Sequence, residues 1–335
     1  MNTPSFQTSR SSTLAGGVLF LVGMVASVFL GASPASATIV FSDNVPLDAS
    51  GYTSGANLAP QNPTSTTGFT TAWGTTGSTA YTTQSNFNLT MAGMGSNDTG
   101  TGAIRFSAGA GASRSFNRTF SAASSASTLW LGTLMDATSN GSLMSGSSNM
   151  VNVLSGALSV ITSNSDPAAA TWSSTNGGAL KGFGIGEKNG VLTVDYQSGA
   201  GAIQETSVSG LNFTLGTTYF LIAKLDLNTS GTSDTLSVWF KAATPGSEAA
   251  LGAADFTIST ADIATSSSDL NRLVVAAGTG VGATTGQSYV DDLRLGTTYD
   301  DIVALAVPEL SVWASLIVGV LALGVMTAWK KELSA

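Results

Sequence analysis

Residues 217–227, TTYFLIAKLDL, alternate with a period of two. Tyr219, Leu221, Ala223, Leu225 and Leu227 fall on one face, and Phe220, Ile222, Lys224 and Asp226 on the other. Successive side chains of an extended backbone point to opposite sides, so this is a strand with one core face and a second face that turns polar toward its end. Residues 236–240, LSVWF, read the same way, and the polar segment 228–234, NTSGTSD, joins the two as a hairpin. Further short runs recur at 39–41, 104–106, 115–120, 128–135, 158–162, 182–187, 191–197, 256–258, 273–276 and 289–295, nearly all bounded by Gly, Ser, Thr, Asn or Asp. Between 182–187 and 191–197 stands Asn189-Gly190, the pair that suits a two-residue type I′ turn because both positions take positive φ at low cost. No helical face of useful length interrupts the series. The fold expected is all-β, with antiparallel sheets burying their apolar faces against each other as a β-sandwich or jelly roll. A β-solenoid would need a repeat of fixed period, and none is present. Residues 137–167 are rich in Ser, Asn and Gly, with Leu143-Met144 and residues 150–154 as their apolar points, and read as a loop or an extra hairpin.

The two ends break this pattern. Residues 1–37 have the parts of an export signal: a polar region with Arg10, an apolar run at 18–30, and Ala35-Ser36-Ala37, where Ala35 and Ala37 form an A-x-A cleavage site. The mature chain is expected to begin at Thr38, because an apolar run of 13 residues is short for a permanent span. At the other end, residues 310–329 carry no charge, and 20 residues of helix reach about 30 Å, the thickness of a bilayer's hydrocarbon core. Trp313 and Trp329 lie near the two ends of this run, where indole rings suit the headgroup boundary, and Lys330 and Lys331 supply the positive charge of a cytoplasmic flank. The expected order is a signal peptide (1–37), a sandwich domain (38–303), a short tether (304–309), a transmembrane helix (310–329) and a basic cytoplasmic tail (330–335).

Composition narrows the chemistry. The chain has 20 Asp plus Glu against 12 Lys plus Arg, a net charge of −8, and no basic cluster in its central region, so nucleic acid is not an expected partner. It has no Cys, so an exported domain must rely on its core and not on disulfides. It has no His, which takes away the usual general base, the usual zinc ligand and the Ser-His-Asp and Cys-His arrangements. Paired carboxylates are the remaining hydrolytic device. Outside the terminal segments the glutamates are Glu187, Glu205 and Glu248, and none has a carboxylate two or four residues away on one strand face. Glu187, beside Lys188 at a hairpin, reads as a solvated turn residue. No catalytic residue is assigned.

Asp291-Asp292 and Asp300-Asp301 are the densest acidic positions. Neighbours in a regular strand point to opposite faces, so Asp291 and Asp292 would not ligate one ion together, although either one with loop carbonyls is a weak candidate for Ca²⁺. Among the tryptophans, Trp130 and Trp239 sit in apolar strands and read as core, and Trp73 as a plug at one end of the sandwich. Trp172, in the polar segment ATWSSTNGG, is the candidate for an exposed ring that stacks on a sugar.

Several stretches carry a resemblance to known families. Val307, Pro308 and Glu309, ahead of a single apolar span and terminal lysines, resemble the PEP-CTERM sorting signal, which is processed by a membrane enzyme of the exosortase class. Leu310 stands where that signal usually has a second proline, and the lysines where arginines are commoner. Residues 288–300, SYVDDLRLGTTYD, resemble the last strand of concanavalin A-like (laminin-G-like) jelly rolls, and residues 51–74, ending GFTTAWG, resemble their opening. The resemblance implies a bacterial protein with a concanavalin A-like jelly roll, exported to the cell envelope. There it would stay anchored by its C-terminus or be released into the extracellular matrix after an exosortase-type partner has acted. The role it implies is non-enzymatic, structural or adhesive, with no cofactor. The alternative is a lectin-like module that binds extracellular polysaccharide, with Ca²⁺ assisting, and a glycoside hydrolase ranks third.

Overall fold

The computed structural model describes residues 38–45, 51–64, 66–76, 82–84, 89–92, 94, 102–107, 114–123, 126–139, 142–143, 147–155, 158–160, 173–174, 181–197, 203–228, 233–264, 266–279 and 287–303. Ala35, Ala37, Trp172, Val307, Pro308, Glu309, Trp313, Trp329, Lys330 and Lys331 lie outside the described residues. Among the described residues no helix is long and apolar enough to cross a membrane.

In chain order the strands begin with β1 (Ile39–Asp43), β2 (Gly74–Thr76), β3 (Thr82–Gln84), β4 (Ala103–Ser107), β5 (Arg114–Thr119) and β6 (Thr128–Asp136). Next come β7 (Thr138–Ser139), β8 (Ser142–Leu143), β9 (Ser147–Ser155), β10 (Leu158–Val160), β11 (Ser173–Ser174), β12 (Gly182–Lys188) and β13 (Val191–Gln197). The series ends with β14 (Gln204–Asn212), β15 (Tyr219–Asp226), β16 (Asp234–Lys241), β17 (Phe256–Ala261), β18 (Leu270–Thr279) and β19 (Gln287–Gly296), followed by a one-turn helix α1 (Tyr299–Val303).

Two large sheets result. One has eight strands in the order β17-β16-β15-β6-β19-β4-β3, with β1 also pairing β19; the other has seven, in the order β14-β13-β12-β9-β18-β5-β2. Every pairing is antiparallel. The chain is thus an antiparallel β-sandwich of the jelly-roll kind. β19 borders β6 along one side; on the other it pairs with β4 over Gln287–Val290 and with β1 from Leu293 to Gly296.

Alternation explains the core. Leu129, Leu131 and Met135 of β6, Leu221, Ala223 and Leu225 of β15, and Leu236 and Val238 of β16 belong to one buried cluster with Val151 and Val153 of β9, Phe183 and Ile185 of β12, and Leu273 and Val275 of β18. These are the faces the two sheets turn toward each other. The expected hairpin is also present: Lys188 pairs with Val191, and Asn189 and Gly190 take φ of 54° and 75°.

The eight-stranded sheet buries its second face as well. Trp130 and Leu134 of β6, Phe220 and Ile222 of β15, and Trp239 of β16 form a separate cluster with Leu251 and with Tyr299, Ile302 and Val303 of α1. Trp130 and Trp239 are therefore buried, as expected of core residues, but behind the sheet and not between the sheets. Their rings stack with centroids 5.8 Å apart, and Tyr299 meets Trp130 edge-on at 5.5 Å. The contact is close because β6 has no side chain at Gly132, where a Cβ would lie 2.9 Å from Ile302 Cβ.

The reading of 137–167 as a loop or extra hairpin needs correction. It contains β9, a nine-residue strand between β12 and β18 in the centre of the seven-stranded sheet. Both of its faces are buried, with Val151 and Val153 inward and Met150 and Leu154 on the opposite side, so its sequence lacks a clean polar alternation.

Candidate functional site

The outer face of the seven-stranded sheet, turned away from the core, carries a row of polar side chains. Leu192 and Val194 of β13 point inward, so Thr193, Asp195 and Gln197 point outward by alternation. On β9 the same rule places Asn152 outward. The register lines these residues up: Asn117 of β5 opposes Val274, Val274 opposes Asn152, Asn152 opposes Gly184, Gly184 opposes Asp195, and Asp195 opposes Glu205 of β14. Gly184 leaves room in the row, since a Cβ there would lie 1.9 Å from Asn152 Oδ1. The centre of the row is buried, with Asn152 at 2 % and Asp195 at 1 % exposure, beside an apolar patch of Leu154, Ile203, Val274 and Ala276. Asn152 Nδ2 donates to the Val274 carbonyl at 3.4 Å, and Asn152 Oδ1 has no hydrogen-bond partner among the described residues. The margins are more open. On the β14 side Lys188 Nζ meets Glu205 Oε1 at 2.5 Å and Ser207 is exposed; on the β5 side Arg272 donates to Asn117 Oδ1.

Glu187 is not the solvated turn residue its neighbour Lys188 suggests. It is fully buried, on the inward face it shares with Phe183 and Ile185. Its Oε2 accepts the Gly190 N–H at 2.8 Å, which ties off the hairpin, and its Oε1 accepts the Asn149 amide at 2.5 Å. Burial pushes its pKa up to about 7, against the downward pull of those two hydrogen bonds. A carboxyl with such a pKa is what a general acid needs, but this one faces the inter-sheet core.

A second buried network closes one end of the sandwich. Asp43 of β1 accepts the Tyr52 hydroxyl and the Val45 N–H, and Tyr52 in turn accepts the Trp73 indole N–H at 2.6 Å. Arg118 of β5 reaches Asp43 at 3.4 Å, donates to the carbonyls of Thr71 and Pro63 and to the Asn62 side chain, and lies over the Phe69 ring. Burial raises the Asp43 pKa despite its three favourable partners, and burial together with the adjacent carboxylate raises Tyr52 well above its ordinary value. The segment ending GFTTAWG is thus held by charge and aromatic packing together, and Trp73 is the plug its position suggests.

Asp291 and Asp292 lie in β19 where its outer partner changes from β4 to β1. The strand is irregular there, and Asp292 has φ 53°. Asp291 accepts the backbone N–H groups of Asp292 at 2.7 Å and Leu89 at 3.2 Å. Asp292 Oδ1 is held by Arg294 through Nε at 2.6 Å and Nη2 at 2.5 Å. These residues do not fit a shared calcium site: a guanidinium already supplies the cation beside Asp292, and two N–H groups occupy Asp291. Among the described residues no cluster of three or more His, Cys, Asp or Glu could hold a metal ion. Asp301 accepts the N–H groups of Thr297 and Thr298 and so caps α1, while Asp300 is exposed.

No known family profile matches the chain, and no curated protein does. Solved structures that align with it include the alginate lyase vAL-1 from Chlorella virus, at 8% identity over 60% of this chain and 86% of that one with a TM-score of 0.42. The carbohydrate esterase vb_24B_21 of the Shiga toxin-encoding bacteriophage phi24B aligns at 13% identity over 78% and 99%, with a TM-score of 0.41. The galactose complex of lectin UEA-II aligns at 10% identity over 67% and 91%, with a TM-score of 0.38. Likenesses this distant say nothing about activity or ligand.

Proposed function

We propose that this protein is an exported, non-catalytic sandwich domain with a structural or adhesive role at the cell envelope. In this reading residues 1–37 export it, the tail with Val307, Pro308 and Glu309 sorts it in the manner of PEP-CTERM proteins, and an exosortase-type membrane enzyme is its processing partner. The observation that supports the absence of catalysis is the use to which its buried acids are put. Glu187 ties a hairpin to the core, Asp43 is locked by Tyr52 and Arg118, and Asp292 by Arg294. Glu205 and Glu248 are each paired with a lysine, Lys188 and Lys224 respectively.

A second reading, glycan binding, is favoured by one feature of the seven-stranded sheet. Its outer face has a buried polar row in which Asn152 Oδ1 is unpaired, and unpaired buried acceptors are rare in folded proteins. One experiment separates the readings: the purified exported domain on a glycan array, with and without chelator, alongside a turnover assay on a panel of bacterial polysaccharides. The proposal expects neither saturable binding to a soluble glycan nor turnover. Saturable binding abolished by Asn152→Ala or Trp172→Ala would establish the lectin reading, and turnover abolished by changing a single Glu would overturn both.

A further inference from the structure

The helix α1 fixes where the chain leaves the domain. Ile302 packs against Gly132, near the middle of β6, and β6 is itself a central strand of the eight-stranded sheet. Ile302 and Val303 are fully buried, and the Tyr299 hydroxyl is anchored to the Pro245 carbonyl at 2.7 Å. The polypeptide therefore departs above the centre of that sheet's outer face, and not from a rim of the sandwich.

Only residues 304–309 separate this exit from the apolar run that starts at Leu310. Fully extended, six residues reach about 20 Å. Strands lie about 4.8 Å apart and packed sheets about 10 Å, so the rim is roughly 17 Å from the middle of an eight-stranded sheet, and the sandwich with its outward side chains is about 20 Å thick. A tether of this length allows the eight-stranded sheet to face the bilayer, or the domain to tilt onto its edge. It cannot pass round the rim and along the whole thickness as well.

We infer that the anchored protein presents the outer face of its eight-stranded sheet to the lipid surface and turns the outer face of its seven-stranded sheet away from it. The inference rests on the reading of residues 310–329 as a membrane span. Its consequence is that the polar row through Asn152 and Asp195 is directed outward, toward whatever surrounds the cell.

The absence of cysteine makes the test direct, because any introduced thiol is unique. Asp300→Cys on α1 and Ser207→Cys on β14 both replace exposed residues, and Ala253→Cys gives a second exposed position beside the α1 cluster. Each full-length variant is nitroxide-labelled, reconstituted into phosphatidylcholine vesicles containing a nickel-chelating lipid, floated on a density gradient, and examined by power saturation. The expected result is flotation, with collision of nickel several-fold greater at positions 300 and 253 than at 207. Flotation with equal or reversed accessibilities would overturn the orientation while leaving the span intact. Failure to float would overturn the span and the orientation with it.

Discussion

Glu187 shows how one side chain trades stability against a local constraint. Its carboxyl is buried beside the Asn189-Gly190 turn, and two hydrogen bonds do not repay the lost hydration, so its pKa rises from 4.5 to about 7. A folded-state pKa above the unfolded value means that the folded chain holds the proton more tightly. The contribution of this group is therefore most favourable below about pH 4.5 and is lost as pH rises through about 7. At pH 8 the charged, buried form costs on the order of 3 kcal/mol relative to acid pH. Glu187→Gln keeps an acceptor for the Gly190 N–H without the charge. Urea unfolding at a series of pH values should show the variant gaining on the wild type between pH 5 and pH 8, and a variant that loses ground over that interval would disprove the assignment. The same residue marks a limit of sequence reading. Positions 183, 185 and 187 share one strand face, which puts Glu187 with Phe183 and Ile185, yet adjacency to Lys188 and a turn suggests solvent. Strand parity outweighs adjacency here because Lys188 points the other way, to Glu205.

At the scale of elements, the alternating strands were the most legible. β15 and β16 pair as the 217–227 and 236–240 patterns predict, and the Asn-Gly turn stands between β12 and β13. Two strands gave little signal, for opposite reasons. β9 is buried on both faces, so its Asn, Met and Val residues do not alternate in polarity, while β14 is an edge strand whose Ser, Thr, Gln and Gly residues are mostly half-exposed or exposed. The polar row of the candidate site was illegible because it depends on register across five strands, and no single stretch of sequence contains it. Helix α1 also escaped notice, since five residues are too few for a periodic face. Its seat is nevertheless written in β6 as Gly132, where a Cβ would lie 2.9 Å from Ile302 Cβ and 3.0 Å from the Phe220 ring. Gly132→Val should lift α1 from the sheet and destabilise the domain by about 1–3 kcal/mol, the usual cost of overpacking. Hydrogen exchange read by mass spectrometry should then show faster exchange in the peptide containing Tyr299–Val303. Unchanged exchange there together with an unchanged urea midpoint would show that α1 does not depend on this close approach.

For the whole molecule, the buried networks and the terminal segments answer different questions. Asp43, Tyr52, Trp73 and Arg118 hold the segment between β1 and β2 to the sandwich, and α1 holds the chain on the far side of β19. The folded unit is thus fastened at the start of its first strand and just after its last, which leaves little chain between the domain and either targeting segment. Thr38 directly precedes β1, and six residues separate Val303 from Leu310. A signal peptidase acting after Ala37 works immediately beside a strand, so cleavage is expected while that strand is still unfolded in transit. Processing at Val307-Pro308-Glu309 happens within a few residues of buried Val303, close enough that the folded domain must sit against the processing enzyme or the bilayer as it is cut. Intact-mass analysis of protein from envelope and medium fractions checks both steps at once. The expected mature species begins at Thr38 in both fractions, and the released one ends before Leu310. A released species that keeps residues 310–329 would refute processing at the Pro-Glu site, and an envelope species that begins at Met1 would refute the export signal.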